Sequence, residues 1–492
     1  MSPADPSADQ PAPLDVAGRT VLVAGVRVAG AAVARVLLER GARVRLADAD
    51  PAGAGPALDD LVRAGARFVG DPTDVPTDVD LVVTSPGLRL DHPLARAARV
   101  AGRPVIGEVE LAWRMRPADA APWLAVTGTN GKTTTVNMLT AVLGAAGRRT
   151  RAVGNVGVPV IEAALDPAYD VLAVELSSFQ LAWSPSVRPA AGALLNLAPD
   201  HLDWHGSMDA YAKAKAGVWA GPVAVGNADD PSVAMRLAAA AAPTRVTFTV
   251  TSPEAGQLGV VDGELVDRAF GSPADPTGTV LLPAVDVHPA GQHNVANALA
   301  AAALARAYGV KAEEVADGLR AFVPDPHRFA AVGTVDGVHY VDDSKATNPH
   351  AAAAALAAAR PVVWIAGGQL KGVDIDPLVG EIAAEPGHLA GVVLLGVDRA
   401  RIATALARHA PDVPVIDVAS GDDEAMVEVV RAARRLARPG YTVLLSPAAA
   451  SYDMFTDYAD RGRRFAAAVR ALTPSSSGPP DASTGKVANR DR

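Results

Sequence analysis

No cysteine occurs among the 492 residues. Disulfides, thiolate metal sites and a cysteine nucleophile are thereby excluded, and any metal must be held by oxygen or imidazole ligands. Also missing is a run of the ~20 uninterrupted apolar residues that a bilayer-spanning helix needs, so no membrane insertion is expected. The start, MSPADPSADQPAP, has neither a basic stretch nor an apolar core. It reads as a disordered leader over residues 1–17 and not as an export signal, which points to a cytoplasmic protein. Positive charge is in deficit, with a formal net charge of −9 and a pI near 5.6. Nucleic acid is therefore not an expected partner, because that affinity rests on basic surface.

What is there is globular: 49% hydrophobic and 20% charged residues. A chain of this length exceeds one core, and roughly 150 residues per domain gives about three domains. Residues 18–117 open as a βαβ unit: the strand RTVLVAG, a helix over Ala31 to Glu39, a stop at Gly41 and the strand VRLAD. Its loop GVRVAG keeps Gly25 and Gly30 of a dinucleotide fingerprint but has Arg27 where the middle glycine would stand. A nucleotide site here does not require NAD. Asp48 ends the next strand, either to meet a ribose or as an ordinary loop acid. Residues 118–323 follow a linker at PADAAP. Here the strand WLAV feeds a glycine loop and a helix over Thr133 to Leu143, VLAVE forms another buried strand, and β-rich runs between Arg245 and Val287 add further strands. Residues 324–472 alternate the strands VHYVDD, PVVWIAGG, GVVLLG and YTVLLSP with helices at Pro349 to Ala359, Asp422 to Leu436 and Asp460 to Leu472, which predicts another parallel sheet. The tail 473–492 is polar and reads as disordered. The fold class is α/β in three domains: a Rossmann-like first domain, a P-loop-type ATPase domain with added strands, and a Rossmann-like last domain.

The chemistry concentrates after the strands. In GTNGKTT, the amides of Gly128, Thr129, Asn130, Gly131 and Lys132 can cradle phosphates, the Lys132 ammonium can reach terminal ones, and Thr133, followed by Thr134, can meet a magnesium ion at a helix start. The generic loop pattern is broken, since Val126 stands where its first glycine would be. Glu175 at the end of VLAVE is either a solvated strand-end acid or a magnesium ligand. Ser177 and Gln180 can offer hydrogen bonds to a polar substrate. NLAPDHLDWHGSMDAYAKAKAG places His201 beside Asp200 and Asp203, with Lys213 and Lys215 beyond. In GQHNVANA, Asn294 and Asn297 either cap a helix or recognise a nucleotide. VDDSKATN groups Asp343, Ser344, Lys345 and Thr347, and AGGQLKG carries Lys371, both at the carboxyl edge of one sheet.

Taken in order, GTNGKTT, GNVGVP, ELSSFQL, NLAPDHLDWHGS, AKAK, GQHNVANAL, HRF, DDSKATNP, GGQLKG and LLSPAAASYDMF resemble the Mur ligase family of peptidoglycan synthesis over about residues 18 to 472. SSFQL and DSKATN resemble the branch that joins D-glutamate to UDP-N-acetylmuramoyl-L-alanine. The resemblance implies a uridine-nucleotide domain, an ATPase domain and a last domain that brings the amino acid and closes on ATP. It implies ATP-driven formation of an acyl phosphate, captured by the amine of D-glutamate, with two magnesium ions. By the same resemblance, Thr133, Glu175, His201 and a carbamylated Lys215 hold metal, with Lys132, His201 and Lys215 catalytic. Asn294, Asn297, Arg328 and Asp343 join the loop in ATP binding. Val28, Ala29, Asp48, Ser85 and Gly87 contact the nucleotide sugar, with Asn155, Ser177 and Gln180 along the muropeptide. Thr347, Lys371, Ser451 and Tyr458 hold D-glutamate. Arg27 and Asp50 depart from the family pattern, Asp50 standing where a basic residue can meet the nucleotide. The chain is expected to act as a monomer on these small molecules. Competing expectations are a folylpolyglutamate synthase or later Mur ligase, a nucleotide-gated binding module without chemistry, and a dehydrogenase on the first βαβ unit.

Overall fold

The computed structural model describes residues 13–271, 277–324, 326–419 and 424–472. The expected disorder of residues 1–12 and 473–492, and the helix start at Asp422, lie outside the described residues. Of the leader, residues 13–17 are described, and they pack: Val16 is buried and the Leu14 amide donates to the Arg114 carbonyl at 2.8 Å. The chain forms two compact units, divided between residues 325 and 326.

The first unit carries two sheets. One contains β1 (Thr20–Ala24), β2 (Arg43–Ala47), β3 (Arg67–Phe68), β4 (Leu81–Thr84) and β5 (Val105–Gly107), all parallel in the order β3-β2-β1-β4-β5. The run TVLVA of β1 is buried at every position, as a parallel strand covered on both faces requires. The following helix starts at Val28, three residues before the expected Ala31. Gly30 makes this possible, since a Cβ there would lie 1.8 Å from the Gly25 carbonyl oxygen.

The second sheet begins with β6 (Trp123–Thr127), β7 (Thr150–Gly154), β8 (Val171–Glu175) and β9 (Ala191–Leu194). It continues through β10 (Val223–Asn227), β11 (Thr244–Phe248), β12 (Gln257–Val261), β13 (Glu264–Asp267) and β14 (Thr279–Pro283). The order is β14-β13-β12-β11-β10-β9-β6-β8-β7, so β6 lies between β8 and β9, where the winding reverses. Open parallel sheets place ligands at such a point, beyond the carboxyl ends of the strands. The added strands β13 and β14 run antiparallel. Helix Lys132–Ala145 leaves β6 and is packed by helices Gln292–Ala307 and Ala312–Ala321. The alanine-rich helix Gln292–Ala307 is buried continuously from Asn297 to Ala305, small side chains allowing neighbours on all sides.

The second unit holds β15 (Ala330–Val335), β16 (Val338–Asp342), β17 (Val362–Gly367), β18 (Leu389–Leu395), β19 (Val415–Asp417) and β20 (Thr442–Leu445), in the order β15-β16-β20-β17-β18-β19. The four expected strands are parallel, the short β19 adds a fifth parallel strand, and β15 adds an antiparallel edge through a hairpin at Asp336-Gly337. Both turn residues have positive φ, +49° and +76°, the geometry of a type I′ hairpin.

Candidate functional site

The glycine loop emerges from the carboxyl end of β6, which is buried throughout. Gly131 adopts φ +82° at the start of helix Lys132–Ala145, and a Cβ there would lie 2.3 Å from Asn297 Oδ1. The loop is held from β9's extension: Asn196 Oδ1 accepts from the Asn130 amide at 2.8 Å, and Asn196 Nδ2 donates to the Asn130 carbonyl at 3.1 Å. Thr129 Oγ1 lies 3.0 Å from the Tyr211 hydroxyl and accepts from the Ala198 amide. Lys132 Nζ arches over the loop to the carbonyls of Gly128 and Thr129, each at 2.9 Å. Thr133 and Thr134 are buried behind it. Asn294 and Asn297 do not cap: the N-cap of helix Gln292–Ala307 is Gly291, which has no side chain to cap with. Instead Asn297 Oδ1 meets Thr135 Oγ1 at 3.2 Å, and its amide donates to Asn294 Oδ1 at 3.1 Å.

Beside the loop, at the end of β8, Glu175 is 1% exposed. One of its oxygens accepts from Asn155 Nδ2 at 2.8 Å, while Oε2 is buried without a hydrogen bond among the described residues. An orphaned carboxylate oxygen facing a phosphate loop fits a cation ligand. Lys215 is 2% exposed, and its Nζ donates to the Gly128 carbonyl at 2.8 Å and packs over the Tyr211 ring. Burial, then repulsion by Lys132, pushes its pKa well below the ordinary lysine value against the pull of Asp200 and Glu175. Lys213, two residues earlier, is exposed. His201 stands in a left-handed conformation (φ +52°), 3.4 Å from Asp200 Oδ2 and edge-on to Phe179. No group of three histidine, aspartate or glutamate side chains clusters at metal-binding distance among the described residues. A metal here would rely on Thr133, Lys215 or nucleotide oxygens as well.

A cleft of about 270 Å³ opens between the two sheets of this unit. Val28, Ala29, Pro86 and Glu108 line it from one side, Asn155 and Gln180 from the other. Glu108, which the sequence did not single out, is 2% exposed and accepts from the Ile161 amide at 2.8 Å. Burial pushes its pKa up to about 7. The aromatic segment after His201 is fastened to the loop following Pro86: Trp204 Nε1 donates to the Gly87 carbonyl at 3.2 Å, and Arg89 donates to the Asp203 carbonyl. Ser177 and Gln180 form a reciprocal capping box at the start of helix Ser178–Ala182, which engages Ser177 Oγ and Gln180 Oε1 as acceptors. Asp48 behaves as the loop acid, accepting from the amides of Val26 and Asp50 at 2.7 and 2.9 Å. Asp50 pairs with Arg27 at 3.1 Å in solvent. Ser85 packs against Gly25, where a Cβ would lie 2.8 Å from its own.

In the second unit, β20 separates β16 from β17, so Asp343 and Thr347, Ser451, and Lys371 follow three adjacent strands. Asp343 accepts from Ser446 Oγ at 2.9 Å and the Phe329 amide at 3.1 Å, and burial pushes its pKa up to about 7 although the neighbouring Arg328 opposes this. Lys345 Nζ donates to the Tyr458 hydroxyl at 3.1 Å. Ser451 is buried, and Lys371 adopts φ +51°.

Comparison with known proteins matches this layout piece by piece. The Mur ligase MurD-like, N-terminal domain matches residues 19–107, the Mur ligase middle domain residues 126–305, and the Mur ligase, glutamate ligase domain residues 327–449. A protein of Thermobifida fusca named UDP-N-acetylmuramoylalanine--D-glutamate ligase is 56% identical over 475 residues, covering 93% of this chain and 100% of the relative. The chain belongs to the Mur ligase family. A relative of the same name in Streptomyces avermitilis is 53% identical, covering 92% of this chain and 98% of its own length. Two solved Mur ligases share the fold: UDP-N-acetylmuramate-alanine ligase of Thermotoga maritima (TM-score 0.57, 20% identity, 92% of this chain and 100% of that one) and MurF of Acinetobacter baumannii (TM-score 0.57, 20% identity, 83% and 88%). Among the described residues no helix is long and apolar enough to cross a membrane.

Proposed function

We propose that this Mur ligase is an ATP-dependent amide ligase that adds D-glutamate to UDP-N-acetylmuramoyl-L-alanine in cytoplasmic peptidoglycan precursor synthesis. A carboxylate is a poor electrophile, because an oxide would have to leave. Attack of the substrate carboxylate oxygen on the γ-phosphorus of ATP releases ADP and gives an acyl phosphate. The D-glutamate nitrogen then adds to that carbonyl carbon, phosphate departs, and the nitrogen loses a proton. Two anions must first approach each other, so positive charge is needed where they meet.

The Lys132 ammonium, now on the loop's own carbonyls, turns to the terminal phosphates, and the loop amides take the remaining oxygens. Magnesium supplies the further charge; Thr133, the free oxygen of Glu175, His201 and a carbamylated Lys215 would hold two ions between them. Carbamylation requires an uncharged amine, whose nitrogen adds to carbon dioxide with loss of a proton, and the depressed pKa of Lys215 favours that form. The cleft lined by Val28, Ala29, Asn155 and Gln180 takes the nucleotide sugar, and Asp48, Ser85, Gly87 and Ser177, which do not line it, are assigned to the same ligand by the family resemblance alone. Asn294, Asn297, Arg328 and Asp343 serve ATP. Thr347, Ser451 and Tyr458 hold D-glutamate, with Lys371 as counter-ion to a carboxylate.

The observation that carries this reading is the buried Lys215 amine, 2.8 Å from the Gly128 carbonyl and in the field of Lys132, Glu175 and Asp200. A plain phosphate cradle has no use for so costly a group. The test is phosphate release from ATP with each substrate omitted in turn, and mass spectrometry of the product. Release should need both UDP-N-acetylmuramoyl-L-alanine and D-glutamate, with a new amide formed. Equal turnover with L-glutamate or diaminopimelate would refute the assignment, and phosphate binding without amide product would favour a binding module.

A further inference from the structure

Helix Tyr458–Leu472 of the second unit begins beside two loops, one following β16 and one following β20. Arg461, in its first turn, is 1% exposed. Its Nε donates to Ser344 Oγ at 2.9 Å, Nη2 to the Ser344 carbonyl at 2.7 Å and Nη1 to the Ala449 carbonyl at 3.1 Å. None of these acceptors belongs to its own helix. Ser344 Oγ donates a hydrogen bond to the Tyr458 carbonyl at 2.8 Å, closing the joint. Asp342, Asp343 and Asp453 surround the guanidinium electrostatically, and burial lowers its pKa to about 10, so it stays charged at neutral pH.

The loops it joins need external support. Ala448 adopts φ +59°, which side-chain-bearing residues rarely take, and the loop beyond it pairs with Gln369 through reciprocal backbone bonds at Ala450. The helix is seated closely: a Cβ at Gly462 would lie 2.1 Å from His327 Nδ1. A guanidinium presents its donors in a rigid plane, so three bonds to two loops fix their separation as a flexible ammonium cannot.

We propose that Arg461 is a positioning residue for the amino-acid acceptor, setting the spacing between Thr347 on one loop and Ser451 on the other. This rests on the proposed function, in which those residues hold D-glutamate. Three of its five N–H donors are bonded to the two loops, and it acts through them.

The test is steady-state kinetics of Arg461→Lys and Arg461→Ala beside the natural enzyme, with each substrate varied. Arg461→Lys should raise KM for D-glutamate at least tenfold and leave KM for the UDP-substrate within twofold. Guanidinium ion added to Arg461→Ala should recover part of the lost D-glutamate affinity. Ser344→Ala, which removes one acceptor and perturbs packing less, should raise the same constant by a smaller factor. An unchanged D-glutamate KM in these variants overturns the proposal. So does an equal loss for all substrates with a lowered melting temperature and no guanidinium rescue, because that describes general scaffolding. If the natural enzyme itself makes no amide from D-glutamate, it is the proposed function that fails; if it does and the variants match it, only the role of Arg461 fails.

Discussion

An ammonium group withdrawn from water beside a second cation loses its preference for the charged form, and Lys215 is in that position. Lys215→Ala is expected to lower kcat by at least ~100-fold, the scale of a lost electrostatic group in an active site. Acetate or propionate should restore part of it by supplying a carboxylate in the vacated space; full activity in the plain alanine variant would remove the carbamate proposal. Glu108 shows the opposite sign of the same effect. Its ordinary value of 4.5 rises to about 7 in the folded protein. Below pH 4.5 both folded and unfolded forms hold the proton, and the stabilising contribution is complete. As pH climbs to 7 the unfolded chain gives up its proton first, so stability falls by about 3 kcal/mol across that window. Urea titrations at pH 5, 6, 7 and 8 should show this decline, and Glu108→Gln should flatten it.

At the scale of elements, the phosphate-loop helix is clamped by its neighbours. A Cβ at Gly318 would lie 2.3 Å from the Cα of Val142, backbone that cannot swing aside. Gly318→Ala should therefore cost roughly 1–3 kcal/mol in urea unfolding, the scale of overpacking, despite alanine's better helix propensity. The elements themselves were largely legible. Apolar runs leading into glycine marked β1 and β6. The hairpin of β15 and β16 was missed although Asp336-Gly337 is a strong turn signal, because the strand ahead of it, AAVGTV, is mostly unburied and lacks a continuous apolar run. Local motifs likewise exposed Lys132, Glu175 and Lys215. Asn196, Glu108 and Arg461 stayed hidden because their partners are remote in sequence: Asn196 lies 66 positions from Asn130, Glu108 53 from Ile161, and Arg461 117 from Ser344. No periodicity announces such pairs. The capping box of Ser177 and Gln180 is legible as SSFQ, beside the substrate role the same residues are expected to play.

For the whole molecule, the division into two compact units means that heat need not unfold everything at once. Calorimetry should show the UDP-substrate shifting the transition of the first unit, by an amount near 2.7 kcal/mol at a hundredfold excess over Kd. A shift confined to the second unit would contradict the proposal that the cleft takes the nucleotide sugar. That cleft lies between two sheets fastened to each other by part-buried hydrogen bonds: Glu110 accepts from the Ser186 amide at 3.0 Å, and Trp183 Nε1 donates to the Leu88 carbonyl at 3.0 Å. Its walls are thus cast before any guest arrives. A rigid inhibitor shaped to this mould would surrender little entropy of its own, and its best head group would donate hydrogen bonds to the acidic floor at Glu108 without carrying a negative charge there.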